Sequence, residues 1–251
     1  MDLSEAPAVV LRRHPWELAR LDFFRRQLRT LGVERRPIEV LDVGSGDAWL
    51  ATTLLASLHE GSHVTCWDSG YSPAHLDELR GRFGPRARFV VERPEERFDL
   101  VLLLDVLEHV DDDAGFLRAI VDHNLKDGGH ALISVPAWRA LFGDHDMRLH
   151  HVRRYQPDEA TRLLDRSGLT IQARGGLFHS LLLPRVAERL AARAGLVRKP
   201  PPHLGEWRAG RVVSAMVETV LKWDGSLGAI LAKRRIALPG LSWWATCVKR
   251  S

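Results

Sequence analysis

The residues of this chain whose types and spacing could do chemistry fall into two groups. The first is a turn. Residues 38–50 read IEVLDVGSGDAWL: an apolar strand, the triplet Gly44-Ser45-Gly46, and a helix expected from Asp47. Gly44 and Gly46 permit backbone angles, and a close ligand approach, that a side chain would block. The helix start offers free N–H groups, and Asp42 sets a carboxylate just before the turn. Such a strand–turn–helix corner is a ligand-binding corner of an α/β sheet. Asp68 follows Gly46 by 22 residues and is followed by Ser69. An acidic residue about 20 residues on, at the end of the next strand, is the type that holds a ribose diol.

The second group is the segment 135–155, VPAWRALFGDHDMRLHHVRRY. It carries His145, Asp146, His150, His151, Arg153, Arg154 and Tyr155. Histidine titrates near neutrality and can take a proton from a reacting group. His145 is the first candidate base, His150 and His151 come next, and His109 stands behind them. For each, a structural hydrogen bond is the competing reading. Arg153 and Arg154 are of the type that holds a carboxylate or phosphate. The histidines lack a spacing such as H-E-x-x-H, so no metal is expected.

The elements that must position these residues alternate. Helical spacing over 16–31 gives a first helix, closed by Gly32. Strands are expected at 38–43, 63–67, 87–91, 98–104, 130–135 and 169–174, with helices at 49–58, 73–82, 113–123 and from Pro157 to Gly168. The 98–104 run, FDLVLLL, is apolar but for Asp99, as expected for a central parallel strand. The alternation means a doubly wound α/β fold. About sixty residues of helical character follow, with the stiff Lys199-Pro200-Pro201-Pro202 inside them, and then a last strand at 241–248.

The turn alone leaves two ligands open. A dinucleotide fingerprint needs a third glycine, where this chain has Trp49. The alternative is S-adenosylmethionine, whose cationic groups favour nearby acceptors such as Asp42. VLDVGSGDAWL resembles the first motif of class I S-adenosylmethionine-dependent methyltransferases, VTCWDSG the end of their second strand, and GGHALISVPA their fifth strand. FDLVLLLDVLEHV resembles the fourth-strand motif of the ubiquinone/menaquinone-biosynthesis type of small-molecule methyltransferase. The segment HD…HHVRRY is similar to a loop of a bacterial subset of them. The resemblance spans about residues 37–174.

It implies a seven-stranded, mostly parallel, Rossmann-like sheet whose last strand is antiparallel and lies between strands five and six. It implies S-adenosylmethionine as cofactor, bound by Asp42, Gly44, Ser45, Gly46, Asp68, Ser69, Asp105 and Val106. The acidic residue after strand three, which pairs with adenine in the family, has only Glu92 or Arg93 to match it. The acceptor side would be served by His145, Asp146, His150, His151 and Tyr155. Cys66 and Cys247 would sit several strands apart, too far for a disulfide. The chain then divides into a helical segment (1–36), a cofactor-binding core (37–176), a helical insertion or lid (177–240) and a closing strand (241–251).

Composition bounds the partners. The chain has 251 residues, 45% of them hydrophobic and 27% charged, with a net charge of +4. The values describe a globular protein with no apolar run long enough to span a bilayer. No basic-then-apolar leader opens the sequence, which predicts a cytoplasmic enzyme. Basic residues crowd the last third beside the amphipathic run Val212, Val213, Met216, Val217, Val220 and Leu221. That pattern suits a lid, a homodimer face, or peripheral contact with an anionic membrane. The expected acceptor is a small molecule, including a lipid-linked one, methylated on oxygen or nitrogen. The Asn/Asp-Pro-Pro-aromatic motif of base-amino methylases is absent after strand four, where Asp105-Val106-Leu107-Glu108 stands. This counts against a nucleic-acid acceptor. RNA methylation and a non-catalytic S-adenosylmethionine-binding partner protein remain the alternatives.

Overall fold

The computed structural model describes residues 13–195, 207, 209–234 and 236–250. The leader reading of the first residues and the triple proline lie outside them. Seven strands form one sheet: β1 (Glu39–Val43), β2 (His63–Trp67), β3 (Ala87–Val90), β4 (Phe98–Leu104), β5 (Leu125–Pro136), β6 (Leu169–Leu177) and β7 (Ser242–Lys249). Their order is β3-β2-β1-β4-β5-β7-β6. Only β7 is antiparallel, inserted between β5 and β6. The topology is the one expected from the resemblance.

Helices cover both faces: α1 (Pro15–Leu31), α2 (Trp49–Leu55), α3 (Pro73–Arg82), α4 (Asp113–Asn124), α5 (Asp144–Arg148), α6 (Pro157–Arg166), α7 (His179–Arg193) and α8 (Arg211–Lys233). Alternate residues of the central strands feed two cores. Val40, Leu100, Leu102 and Leu132 pack with Phe24, Leu54 and Trp244 on one face. Leu41, Val101, Leu103 and Ile133 pack with Leu117, Ile120 and Leu164 on the other. A strand buried on both sides must be largely apolar, which is why β4 is apolar from Leu100 to Leu104, after the half-buried Asp99.

Local chemistry sets the element ends. The His14 side chain accepts from Trp16 N, while Glu17 accepts from His14 N, and Pro15 opens α1. Helix α2 begins at Trp49, as in the expected 49–58 span rather than at Asp47, and ends at Leu55, three residues early. Ala48 takes a left-handed φ of 57°, and the Asp47 carboxylate accepts from Trp49 N. Strand β5 begins five residues earlier than expected, because the 126–129 turn folds into it as an irregularity against β4. Strand β6 runs three residues past Arg174, since Gly175 and Gly176 pair with Trp244 and Trp243. Cys66 and Cys247 are both free and buried. Among the described residues no helix is long and apolar enough to cross a membrane.

Candidate active site

A cavity of about 990 Å³ opens at the carboxyl ends of β1, β2, β4 and β5. Backbone geometry is unusual along this edge. Ala48, Asp105, Trp138 and Phe178 follow β1, β4, β5 and β6, and each has a positive φ of 57–66°. Residues held in that region mark positions over-determined by their surroundings.

One half of the cavity is built from the first two strand exits. Gly44 lies on the wall with φ +63°, and a Cβ there would stand 3.0 Å from Val106 Cγ2. The wall at this point must therefore be bare backbone. Asp68 lies on the wall, pinned at both oxygens: Gly46 N–H donates to Oδ2 at 2.8 Å and Gly70 N–H to Oδ1 at 2.8 Å. A carboxylate has about four lone-pair sites, so two remain for a ligand. Trp67, Ser69, His75, Val106 and Phe116 complete this end, with Trp67 and Phe116 stacked at 6.1 Å. Asp42, Ser45 and Gly46 stand behind the wall. Asp42 is buried in β1, and burial pushes its carboxyl up to about 7. The Ser45 hydroxyl is 2.7 Å from the Tyr71 hydroxyl. Neither Glu92 nor Arg93 reaches the cavity.

Asp105 stands between the halves. Its carboxylate accepts from Ser134 Oγ at 2.9 Å and pairs with Arg20 at 2.9 Å. Arg20 is buried, rises from α1, and lies over the rings of Trp16 and Phe24. No signal in the strand motifs pointed to Arg20, because its pairing spans 85 residues of sequence.

The other half carries imidazoles and one isolated carboxyl. His109, His145, His151 and Glu108 all line it, with Leu149, Arg154, Trp16 and Phe178. Desolvation, and after it the Arg185 charge, lowers the His145 pKa. Burial holds His14, also on the wall, at about 4. Asp146 is fully buried and serves the frame. Its Oδ1 accepts from Arg154 Nε at 2.7 Å and lies 3.0 Å from His151 Nδ1, while Oδ2 accepts from Gly143 N. Burial alone would raise the Asp146 carboxyl, but the His151 and Arg154 contacts outweigh it and hold it at about 2. Tyr155 donates to the Leu107 carbonyl and Asp113 beneath the cavity, and His150 is exposed at φ 55° outside it. Neither lines the wall.

Glu108 was not singled out by sequence, yet it is the most unusual group here. It is fully buried, and neither carboxylate oxygen has a hydrogen-bond partner. Burial, then the Asp105 charge, pushes its pKa well above the carboxylate range. The available signal was its place: an acid between Leu107 and Val110, shortly after the apolar run Leu100–Leu104.

Helices α7 and α8 fall within the insertion expected at 177–240. Among their described residues none lines the cavity, which meets this region only at Phe178, Leu241 and Ser242. Helix α8 packs on α1 and β6 instead. Helix α7 backs the segment around His145, where Arg193 donates to the Ala140 carbonyl.

Residues 16–174 match a family described as "Methyltransferase domain". The chain belongs to that family. Its cofactor is S-adenosylmethionine. A ubiquinone biosynthesis O-methyltransferase of Serratia proteamaculans is 35% identical over 103 residues, which cover 38% of this chain and 41% of that protein. The chain thus matches less than half the length of this relative. Among solved structures, the 1,6-didemethyltoxoflavin-N1-methyltransferase of Burkholderia thailandensis, with its substrate and S-adenosylhomocysteine bound, superposes with a TM-score of 0.52. It is 20% identical, over 94% of this chain and 79% of that one. An S-adenosylmethionine-dependent methyltransferase of Mesorhizobium loti gives 0.52 at 15% identity, over 89% and 96%. At such identities these structures show the shared fold. The residues present fit the cofactor: a bare-backbone wall at Gly44, and on the same wall an Asp68 carboxylate that two backbone N–H groups leave with capacity for further hydrogen bonds.

Proposed function

We propose that this methyltransferase acts on a small molecule, at oxygen or nitrogen, with His145 as the general base and the acceptor in the Glu108–His145–His151 half of the cavity. The observation that carries the reading is the continuity of that cavity. One end presents Gly44 and Asp68, and the other presents three imidazoles within the same walls. When bound, S-adenosylmethionine would supply an electrophilic methyl on a sulfonium, whose sulfur would depart as a neutral thioether. Everything else falls to the chain. Asp68 takes hydroxyl groups of the ribose. The bare wall at Gly44 and the Val106 side chain set the depth of approach. Arg20 neutralises Asp105 at the junction, so that a cationic donor meets a hydrogen-bonded pair rather than a loose charge. His145, with its pKa lowered, is neutral at pH 7 and free to accept the acceptor's proton. Trp16, Leu149 and Phe178 give the cavity apolar wall beside these groups. The exposed apolar stripe of α8 supports a lipid-linked acceptor presented at a membrane surface, with the cytoplasm as compartment.

The test uses purified protein, methyl-labelled S-adenosylmethionine and a fractionated cell extract. Label is expected in a small-molecule or lipid fraction, and label confined to RNA or protein would overturn the reading. Asp68→Ala should weaken cofactor binding by calorimetry at least tenfold. His145→Ala should leave that binding in place and lower turnover by about 10²- to 10⁴-fold. Unchanged turnover in His145→Ala would remove it as the base.

A further inference from the structure

We propose that Glu108, His109 and His151 form a divalent transition-metal site in the acceptor half of the cavity. One ligand atom from each lies within 4.8 Å of the others. Proximity of such groups is common, and the case rests on a second observation. The Glu108 carboxyl is fully buried with both oxygens unpartnered. A buried ionised carboxylate without hydrogen bonds costs several kcal/mol, so such a group keeps its proton unless a cation takes the proton's place. Every other acid around the cavity has its partners: Asp68 has two backbone N–H groups, Asp105 has Arg20 and Ser134, and Asp146 has Arg154, Gly143 and His151. Glu108 alone among these lacks them, and it faces two imidazoles.

The surroundings prepare the histidine ligand. Asp146 Oδ1 stands 3.0 Å from His151 Nδ1. That contact fixes the ring and leaves Nε2 for coordination, the arrangement by which a carboxylate orients and strengthens a metal-bound imidazole. Arg154 and the Gly143 N–H in turn hold Asp146 in place. The His109 ring meets the His151 ring edge-on, with centroids 4.8 Å apart. Glu108 and His109 are neighbours in the short helical turn Leu107–His109 after β4, and Val152 N–H donates to the Glu108 carbonyl at 2.8 Å. That bond ties the turn to the segment carrying His151. Two nitrogens and one carboxylate favour zinc, manganese, iron or cobalt over magnesium or calcium. Three protein ligands leave positions open on the cavity side, where an acceptor oxygen would bind and become more acidic.

The proposal deepens the methyl-transfer reading by naming an oxygen-bearing acceptor, and its test does not depend on that reading. The full-length protein is stripped with chelator and titrated with zinc chloride and, separately, manganese chloride in a calorimeter, without cofactor or acceptor. One cation per chain with micromolar or tighter affinity is expected. Glu108→Gln and His151→Ala should each weaken it at least tenfold, while His63→Ala, at an exposed histidine paired with Glu39, should not. Glu108→Gln keeps the shape and removes the ionisable group, so in chelator it should melt no lower than the parent. This separates loss of ligand from loss of fold. No saturable binding by the parent protein would overturn the proposal, as would equal affinity in both ligand variants. Methyl transfer that fails while metal binds would count against the function and leave the metal site standing.

Discussion

At the scale of single residues, Asp42 makes the sharpest physical claim. It lies in the middle of β1, beside Cys66 on β2 and Leu102 on β4. Burial pushes its carboxyl up to about 7, against an ordinary value near 4. The unfolded chain therefore releases this proton between about pH 4 and 7 while the folded chain keeps it. A raised folded pKa contributes stability below the unfolded value and loses it as pH climbs toward the folded one. In the absence of cofactor, stability is expected to fall from pH 5 to pH 8, with up to about 4 kcal/mol at stake over the full interval. Asp42→Asn should flatten that slope. Urea unfolding at the two pH values measures it, and parallel slopes in parent and variant would show that Asp42 is not the group responsible. The same residue shows what sequence could and could not convey. Its place before the glycine turn was readable, and its position behind the cavity wall was not. The 145–155 segment behaves alike. The presence of His145, Asp146, His151 and Tyr155 was plain, but which of them face the cavity depends on how the chain turns at Gly143 and Leu149. Asp146 and Tyr155 turn inward to hydrogen bonds of the frame, while His145 and His151 turn to the cavity. Arg20 and Glu108 escaped because their meaning lies in partners, or in the lack of them, which only the folded chain reveals.

At the scale of elements, strands were the most readable part of the chain. Strands β2 and β4 begin and end at the expected residues because apolar and β-branched runs stop at polar or glycine-rich neighbours there. The two largest displacements, at the start of β5 and the end of β6, share one cause: a glycine that reads as a stop can also serve inside a strand where two backbones must come close. Gly176 is the clearest case. A Cβ there would stand 2.3 Å from Gly240 N and 2.4 Å from the Leu238 carbonyl oxygen, and neither backbone atom can give way easily. Gly176 N–H also donates to that carbonyl at 3.0 Å, so the contact ties the end of β6 to the approach to β7. Gly176→Ala is expected to cost about 2–4 kcal/mol by prying these segments apart. The loss should appear as a lower urea midpoint. Because Phe178 and Leu241 line the cavity on either side of this contact, cofactor affinity should fall with it. A variant as stable as the parent would mean that the two segments can separate without cost.

At the scale of the whole molecule, the open question is what meets α8. Its inner face is small and packed: Ser214, Leu221, Gly225, Gly228 and Ala232 are buried against α1 and β6. Its outer face carries Val212, Met216, Val220, Trp223, Leu227 and Ile230 in one stripe, with Val212 73% and Trp223 76% exposed. The spacing is helical along the whole element, so this is a continuous apolar strip rather than scattered side chains. Lys233 ends the helix, Lys222 pairs there with Glu218, Arg26, itself paired with Asp22, approaches it at Ser226, and the chain carries a net charge of +4. An apolar strip with a tryptophan on a chain of net positive charge suits the headgroup layer of an anionic bilayer, where acyl contact and charge act together. The protein is expected to sediment with vesicles containing phosphatidylglycerol, less with pure phosphatidylcholine, and less again in high salt. The double substitution Trp223→Ser with Leu227→Ser removes two side chains worth about 1.5–3 kcal/mol each on full burial, so it should weaken vesicle binding by tenfold or more. Both positions are exposed, so the variant should retain its fold and its S-adenosylmethionine affinity. A concentration-dependent dimer, abolished by the same double substitution and accompanied by no vesicle binding, would assign the stripe to a second copy of the chain and would sink the membrane reading.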